Sequence, residues 1–170
     1  MPGDDRGADR SANRSTPRVR PSLVVGAMIG AALMAAVDEI VFHQLLGWHH
    51  FYDRSSSDVA LFSDGVLHAA ELVLLVAGFT LLAGLHRRHD VASGAAWAGV
   101  LLGAGVFQLW DGVVDHKVLR VHQVRYGVDL LPYDVVWNLA GAVLVAAGAA
   151  LAWRQRRREA PARPEEPRPR

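Results

Sequence analysis

The chain contains no cysteine. Disulfides, thiolate metal sites and cysteine nucleophiles are therefore excluded. Methionine is scarce, with only Met1, Met28 and Met34, which leaves little for a thioether copper(I) site. Charge is absent over long stretches: Leu23 to Val37 carries none. Both tails lack aromatic residues although 1–20 holds five arginines and 154–170 holds seven. Basic tails without aromatics argue against a nucleic-acid partner. They are rich in proline, arginine and acidic residues, a composition of disordered segments.

What remains is strongly apolar. Hydrophobic residues make up 51% of the 170-residue chain and collect in four blocks, about 22–46, 64–85, 94–119 and 134–153. Each is long enough to cross a hydrocarbon core of ~30 Å as a helix. Most lack the polar stripe of a soluble helix. The predicted fold is an all-α membrane protein, a four-transmembrane-helix bundle over 22–154, with disordered cytoplasmic tails at 1–21 and 155–170. The first block makes a poor cleaved signal peptide, because its charged leader is long and no small-x-small site closes the apolar run.

Both termini then lie on one side. The two tails and the loop around Arg87 and Arg88 hold 14 of the 18 lysines and arginines. The opposite loops, 47–63 and 120–133, with the adjoining helix end, hold only Arg54, Lys117, Arg120 and Arg125. The positive-inside rule makes the tails cytoplasmic and those loops extracytoplasmic. Trp48, Trp110 and Trp137 fall at the expected outer helix ends, and Trp97 and Trp153 at the inner ends, as an aromatic belt would.

Two helix hairpins read as tandem copies. Residues 24–50 over 97–123 share G-x3-G…D-x4-H-x5-H, pairing Gly26 with Gly99, Gly30 with Gly103, Asp38 with Asp111, His43 with His116 and His49 with His122. The second helices match at an offset of 70, pairing Asp64 with Asp134, His68 with Asn138 and Gly78 with Gly148. Parallel copies imply a pseudo-twofold axis along the membrane normal. The glycine pairs predict a close approach of helices 1 and 3.

This topology gathers the ionisable groups at the outer face. Six of eight histidines lie there, namely His43, His49, His50, His68, His116 and His122, with ten of seventeen carboxylates. Asp64, His68 and Glu71 share a helical face, as do Glu39 and His43 with His50 beyond them, and Asp111, Asp115 and His122. Carboxylates and imidazoles converging from several helices are how bundles bind metals. Zinc, iron, manganese or copper(II) accept such ligands. Asp38 and Asp111 lie two to three turns inside the membrane ends, where an unpaired carboxylate is costly. They pair either with Lys117, Arg120 or Arg125, or with histidine. Asp64 and Asp134 have a second reading as helix caps, and Asp58 is another cap for helix 2. Asn138, Gly112 and Gly141 replace His68, Glu39 and Glu71 in the second copy, so Asp134 and Asn138 are expected to support ligands rather than act as them.

The segments "DEIVFHQLLGWHH", "SDGVLHAAE", "FQLWDGVVDHKVLRVHQVR" and "YDVVWN" resemble the bacterial family of predicted four-helix membrane proteins called domain of unknown function 2243, over about 22–154. Glu39 stands where that family's first motif is expected to have glycine. The resemblance implies a multi-pass protein of the bacterial inner membrane and importance for the His/Asp motifs. It associates the chain with respiratory oxidase assembly proteins as partners, besides membrane lipid, but supplies no reaction. The leading expectation is a metal site used in metal handling for respiratory enzymes, or in redox or hydrolytic chemistry. Three alternatives compete: a haem protein with His43 and His116 as axial ligands, a proton or cation transporter relaying through Asp38 and Asp111, and a structural accessory subunit.

Overall fold

The computed structural model describes residues 18–159; the terminal segments read as disordered lie largely outside this range. Helix α1 (Val19–Val37) continues without a break into a π-helix, π1 (Asp38–Leu45). Helix α2 (Ser57–Arg87) returns. Helix α3 (Ser93–Trp110) likewise runs into π2 (Asp111–Val118), and α4 (Leu130–Glu159) is the last described element. All four are long and apolar enough to span a membrane.

The central pair is α1 and α3, with α2 packed on α1 and α4 on α3. Glycine is what lets the central pair touch. A Cβ at Gly26 or Gly30 would collide with the carbonyl oxygen of Ala96 or Val100, and one at Gly99 or Gly103 with that of Leu23 or Ala27. These four contacts form two pairs related by a shift of 73 residues. Backbones this close gain dispersion contacts that larger side chains would prevent. Gly78 meets Ile29 in the same way that Gly148 meets Leu102. Buried alanines and branched residues, including Val25, Ile29, Ala32, Ala95 and Ala98, fill the rest of the seam. The outward faces of α2 and α4 expose large apolar side chains such as Phe62, Val73, Phe79, Leu139 and Val143, as lipid contact requires.

Loops tie the ends together. At the arginine-rich end, the Arg18 N–H donates to the Asp90 carbonyl at 2.7 Å, and the Ala92 N–H to the buried Ser22 hydroxyl at 3.0 Å. At the other end, the Asp53 N–H donates to the Val121 carbonyl at 3.0 Å. Helix α2 starts at Ser57 because the Ser56 hydroxyl accepts from the Val59 N–H. Asp58 falls in the first turn, so neither it nor Asp64 is the cap. Helix α4 starts at Leu130, where the Asp129 carboxylate accepts from the Leu131 N–H, so Asp134 is no cap either.

The tryptophans depart from a simple belt. Trp97, Trp110 and Trp153 are exposed, whereas Trp137 is buried. Its ring packs against Phe42 at 4.8 Å and His116 at 5.9 Å.

Candidate metal centre

The two π-helices begin at Asp38 and Asp111. In an α-helix, residues five apart sit roughly 140° apart around the axis. Bonding from i to i+5 widens the helix and brings such residues closer to one face. The Leu46 N–H reaches the Val41 carbonyl at 2.9 Å, and the Leu119 N–H that of Val114 at 2.7 Å. The D-x4-H spacing therefore becomes a same-face pair. His43 Nε2 lies 3.5 Å from Asp38 Oδ2, and His116 Nε2 lies 3.1 Å from Asp111 Oδ2. Two residues beyond each π-helix stands a left-handed residue, Gly47 (φ 56°) and Arg120 (φ 52°). That turn sends the chain back so that a second histidine enters the centre.

Those second histidines are His49 and His122. Their Nδ1 atoms face backbone carbonyls, which only accept: Val124 at 2.8 Å for His49, and Phe51 at 2.9 Å for His122. The proton therefore sits on Nδ1, and Nε2 turns inward. His49 Nε2 lies 3.7 Å from Asp38 Oδ1, and His122 Nε2 lies 3.1 Å from Asp111 Oδ1. The four imidazoles form a box. His49 and His122 stack at 4.6 Å, and His43–His49 and His116–His122 meet edge-on at 4.5 and 4.7 Å. Asp38, Asp111 and all four histidines are buried.

Electrostatics separates the two flanking histidines. Burial pushes His49 below the ordinary imidazole value, helped by nearby His122 and His43, and the distant Asp38 carboxylate does not offset this. Burial also opposes charge on His122, but the closer Asp111 carboxylate outweighs it and raises its pKa. Asp38 and Asp111 repel each other across the box.

Several inward atoms make no hydrogen bond among the described residues: Asp38 Oδ1, Asp111 Oδ2, and Nε2 of His43, His49 and His116. Some lie close to one another, as His116 Nε2 and Asp111 Oδ2 do, but at angles unsuited to a hydrogen bond. Buried polar atoms normally find partners. Atoms ligating one ion at about 2.1 Å stand roughly 3.0–3.4 Å apart, close to these separations. Asp38, His43 and His49 form one group able to hold an ion, and His49, His116 and His122 another. The groups share His49 and so lie in one cage. The donor set is nitrogen and oxygen, suited to zinc, iron, manganese or copper(II).

A third group, Glu39, His43 and Asp64, flanks the cage on the α2 side. His43 Nδ1 lies 2.8 Å from Glu39 Oε2 and 3.1 Å from Asp64 Oδ1. His50 Nδ1 meets Asp64 Oδ2 at 2.6 Å, and the Phe51 N–H donates to Asp64 Oδ1 at 2.7 Å. Glu71 is buried beside exposed His68, at 2.6 Å. Asp115 is buried but falls in none of the three groups. On the other side, the Lys117 ammonium meets Asp134 at 2.5 Å, and Asn138 donates to the Asp134 carbonyl at 2.9 Å. The basic residues thus do not neutralise Asp38 or Asp111. Arg125 instead donates to the Tyr133 hydroxyl and lies over Trp48. Sequence reasoning missed Gln44, which donates to Glu39 Oε1 at 2.8 Å. Its alignment with Lys117, 73 residues later, was the available signal. The carbonyls of Phe51 and Val124 had no signal, since any residue supplies one.

No curated protein and no solved structure matches the chain. Residues 25–155 match the family model described as predicted membrane protein, DUF2243, and the chain belongs to that family.

Proposed function

We propose that this membrane protein binds a divalent transition metal ion in the cage of Asp38, His43, His49, Asp111, His116 and His122. One observation carries the reading. His49 commits Nδ1–H to the Val124 carbonyl, so its Nε2 lone pair, which makes no hydrogen bond among the described residues, is turned toward the buried Asp38 carboxylate. Lone pairs facing carboxylate oxygens repel unless a cation lies among them. Leaving such groups uncompensated costs several kcal/mol per ion. The Nδ1–H bonds also fix tautomer and ring orientation, as outer partners do at metal sites.

The cage lies at the end of the bundle away from Arg87, Arg88 and Arg154. By the positive-inside rule that end is extracytoplasmic and both termini are cytoplasmic. With its family resemblance, this suits a role in the bacterial plasma membrane, handling metal for respiratory enzyme assembly or turning it over in redox chemistry. The contacts and numbering offsets shared by the halves support two tandem hairpins around a pseudo-twofold axis through the cage. Haem fits poorly, because the His43 and His116 rings face buried carboxylates and two further histidines rather than an apolar pocket. A through-pathway fits poorly too, since α1 and α3 meet backbone to backbone through their apolar inner halves.

Elemental analysis of the detergent-purified chain tests the reading. At least one equivalent of transition metal is expected, with a lower content in His49→Ala and His116→Ala. Metal-free wild-type protein that takes up none on incubation with zinc, manganese, iron(II) or copper(II) overturns it.

A further inference from the structure

The two sides of the cage differ in one respect that the shared cage residues do not require. On the α4 side, Asp134 receives a cation from the chain itself, the Lys117 ammonium at 2.5 Å. No residue there corresponds to Glu39: Gly112 takes that position, and a Cβ on it would strike the Asn138 and Trp137 side chains. On the α2 side, the residue aligned with Lys117 is the neutral Gln44, while two carboxylates, Glu39 and Asp64, are present. One side has one carboxylate and its own ammonium. The other has Glu39, Asp64 and buried Glu71, and no lysine or arginine among the contacts described.

The histidines do not close this gap. His43 offers one Nδ1 to both carboxylates, and only its approach to Asp64 Oδ1 is aligned as a hydrogen bond. Glu39 Oε2, 2% exposed as a residue, is left without a hydrogen bond among the described residues. Both oxygens of buried Glu71 likewise make no aligned hydrogen bond among the described residues, although exposed His68 lies 2.6 Å from Oε1. His50 already serves the other oxygen of Asp64. A buried carboxylate without a partner is the feature that a bound cation removes.

We propose that the α2 side holds a second divalent cation between Glu39, His43 and Asp64, where the α4 side uses the Lys117 ammonium. This rests on the cage reading to the extent that His43 faces the cage through Nε2 and the second site through Nδ1. When both nitrogens ligate, the ring releases its N–H proton to solvent. The two ions then share one imidazole. Carboxylate-rich composition favours a zinc- or manganese-like ion here.

Zinc binding to the full-length, chelator-stripped protein in detergent tests this by equilibrium dialysis and elemental analysis. Wild type is expected to hold two equivalents. Gln44→Lys, which supplies the ammonium that Lys117 supplies opposite, is expected to hold one. Glu39→Gln, which keeps size and shape, is expected to do the same should the lysine not be accommodated. His122→Ala, at the far side of the cage, is expected to lose the cage ion and keep the second. Two equivalents in both Gln44→Lys and Glu39→Gln overturn the second site. So does a single wild-type equivalent that disappears in His122→Ala, although the cage then stands. A single equivalent lost in Glu39→Gln but kept in His122→Ala supports the second site and overturns the cage. No zinc in wild type overturns both.

Discussion

Replacing Asp111 by asparagine separates a metal cage from a network of ordinary ion pairs. Its carboxylate approaches His116 Nε2 and His122 Nε2 at 3.1 Å each, so one substitution removes the anion shared by two of the four imidazoles. Asparagine keeps the shape but halves the cage's carboxylate charge. Changing a partner that merely orients a ligand weakens metal binding about 10–100-fold, and an inward-facing carboxylate should reach at least the upper figure. At free metal about 1,000 times the wild-type dissociation constant, the ion stabilises the fold by about 4.1 kcal/mol. With affinity down about 100-fold, the same metal sits near ten times the variant's constant and contributes only about 1.4 kcal/mol. The assay is thermal or denaturant unfolding in detergent, with each protein measured against its own chelated form. Subtracting that baseline removes the cost of breaking the His122–Asp111 pair. The metal-dependent increment should fall by about 2.7 kcal/mol. Equal increments in both proteins, or none in wild type, would falsify the cage.

Glycine substitutions test the close seam by a graded series. Gly103→Ala drives a Cβ into the Ala27 backbone and is expected to cost at least the ~1–3 kcal/mol of overpacking. Gly78→Ala meets the Ile29 side chain, which can yield, and should cost less. Gly65→Ala meets nothing within 4 Å and should stabilise α2 by ~0.5–1 kcal/mol; an order other than this by thermal unfolding in detergent contradicts the packing account. Alkaline phosphatase fused after Ser55 should be active and after Arg88 inactive, and the reverse pattern would place the cage on the cytoplasmic side.

The four spans were legible in the sequence because lipid-facing helices need long uncharged runs, and nothing in the tertiary structure can override that demand. The central pairing of α1 and α3 was legible from the same glycines that now meet the opposing carbonyls. Helix starts were less so. Apolar blocks mark where lipid begins, whereas α2 starts seven residues earlier at a serine cap in the polar loop. Trp137 looked like an interface anchor, but the missing side chain at Gly112 opens room for it beside His116. A rule that reads tryptophan by depth alone cannot see a gap on a neighbouring helix.

That these residues would gather was more legible than how the candidate site arranges them, and the reason is helical winding. Four-residue spacing drew attention to Glu39 with His43, whereas α winding would set Asp38 and His43 roughly 140° apart around the axis. The chain adopts π winding for eight residues in each hairpin, a form that is rare and mostly confined to single turns at functional sites. No proline interrupts either segment, and Gly112 has no counterpart in π1, so backbone-breaking residues do not account for both. What the two segments share is an aspartate, a histidine five residues on, and a left-handed turn that returns a second histidine. In α-helical winding each buried aspartate would lose its imidazole neighbour. The widened turn is therefore tied to the Asp–His pairs themselves: the proposed cage requires π winding at the same place in both hairpins.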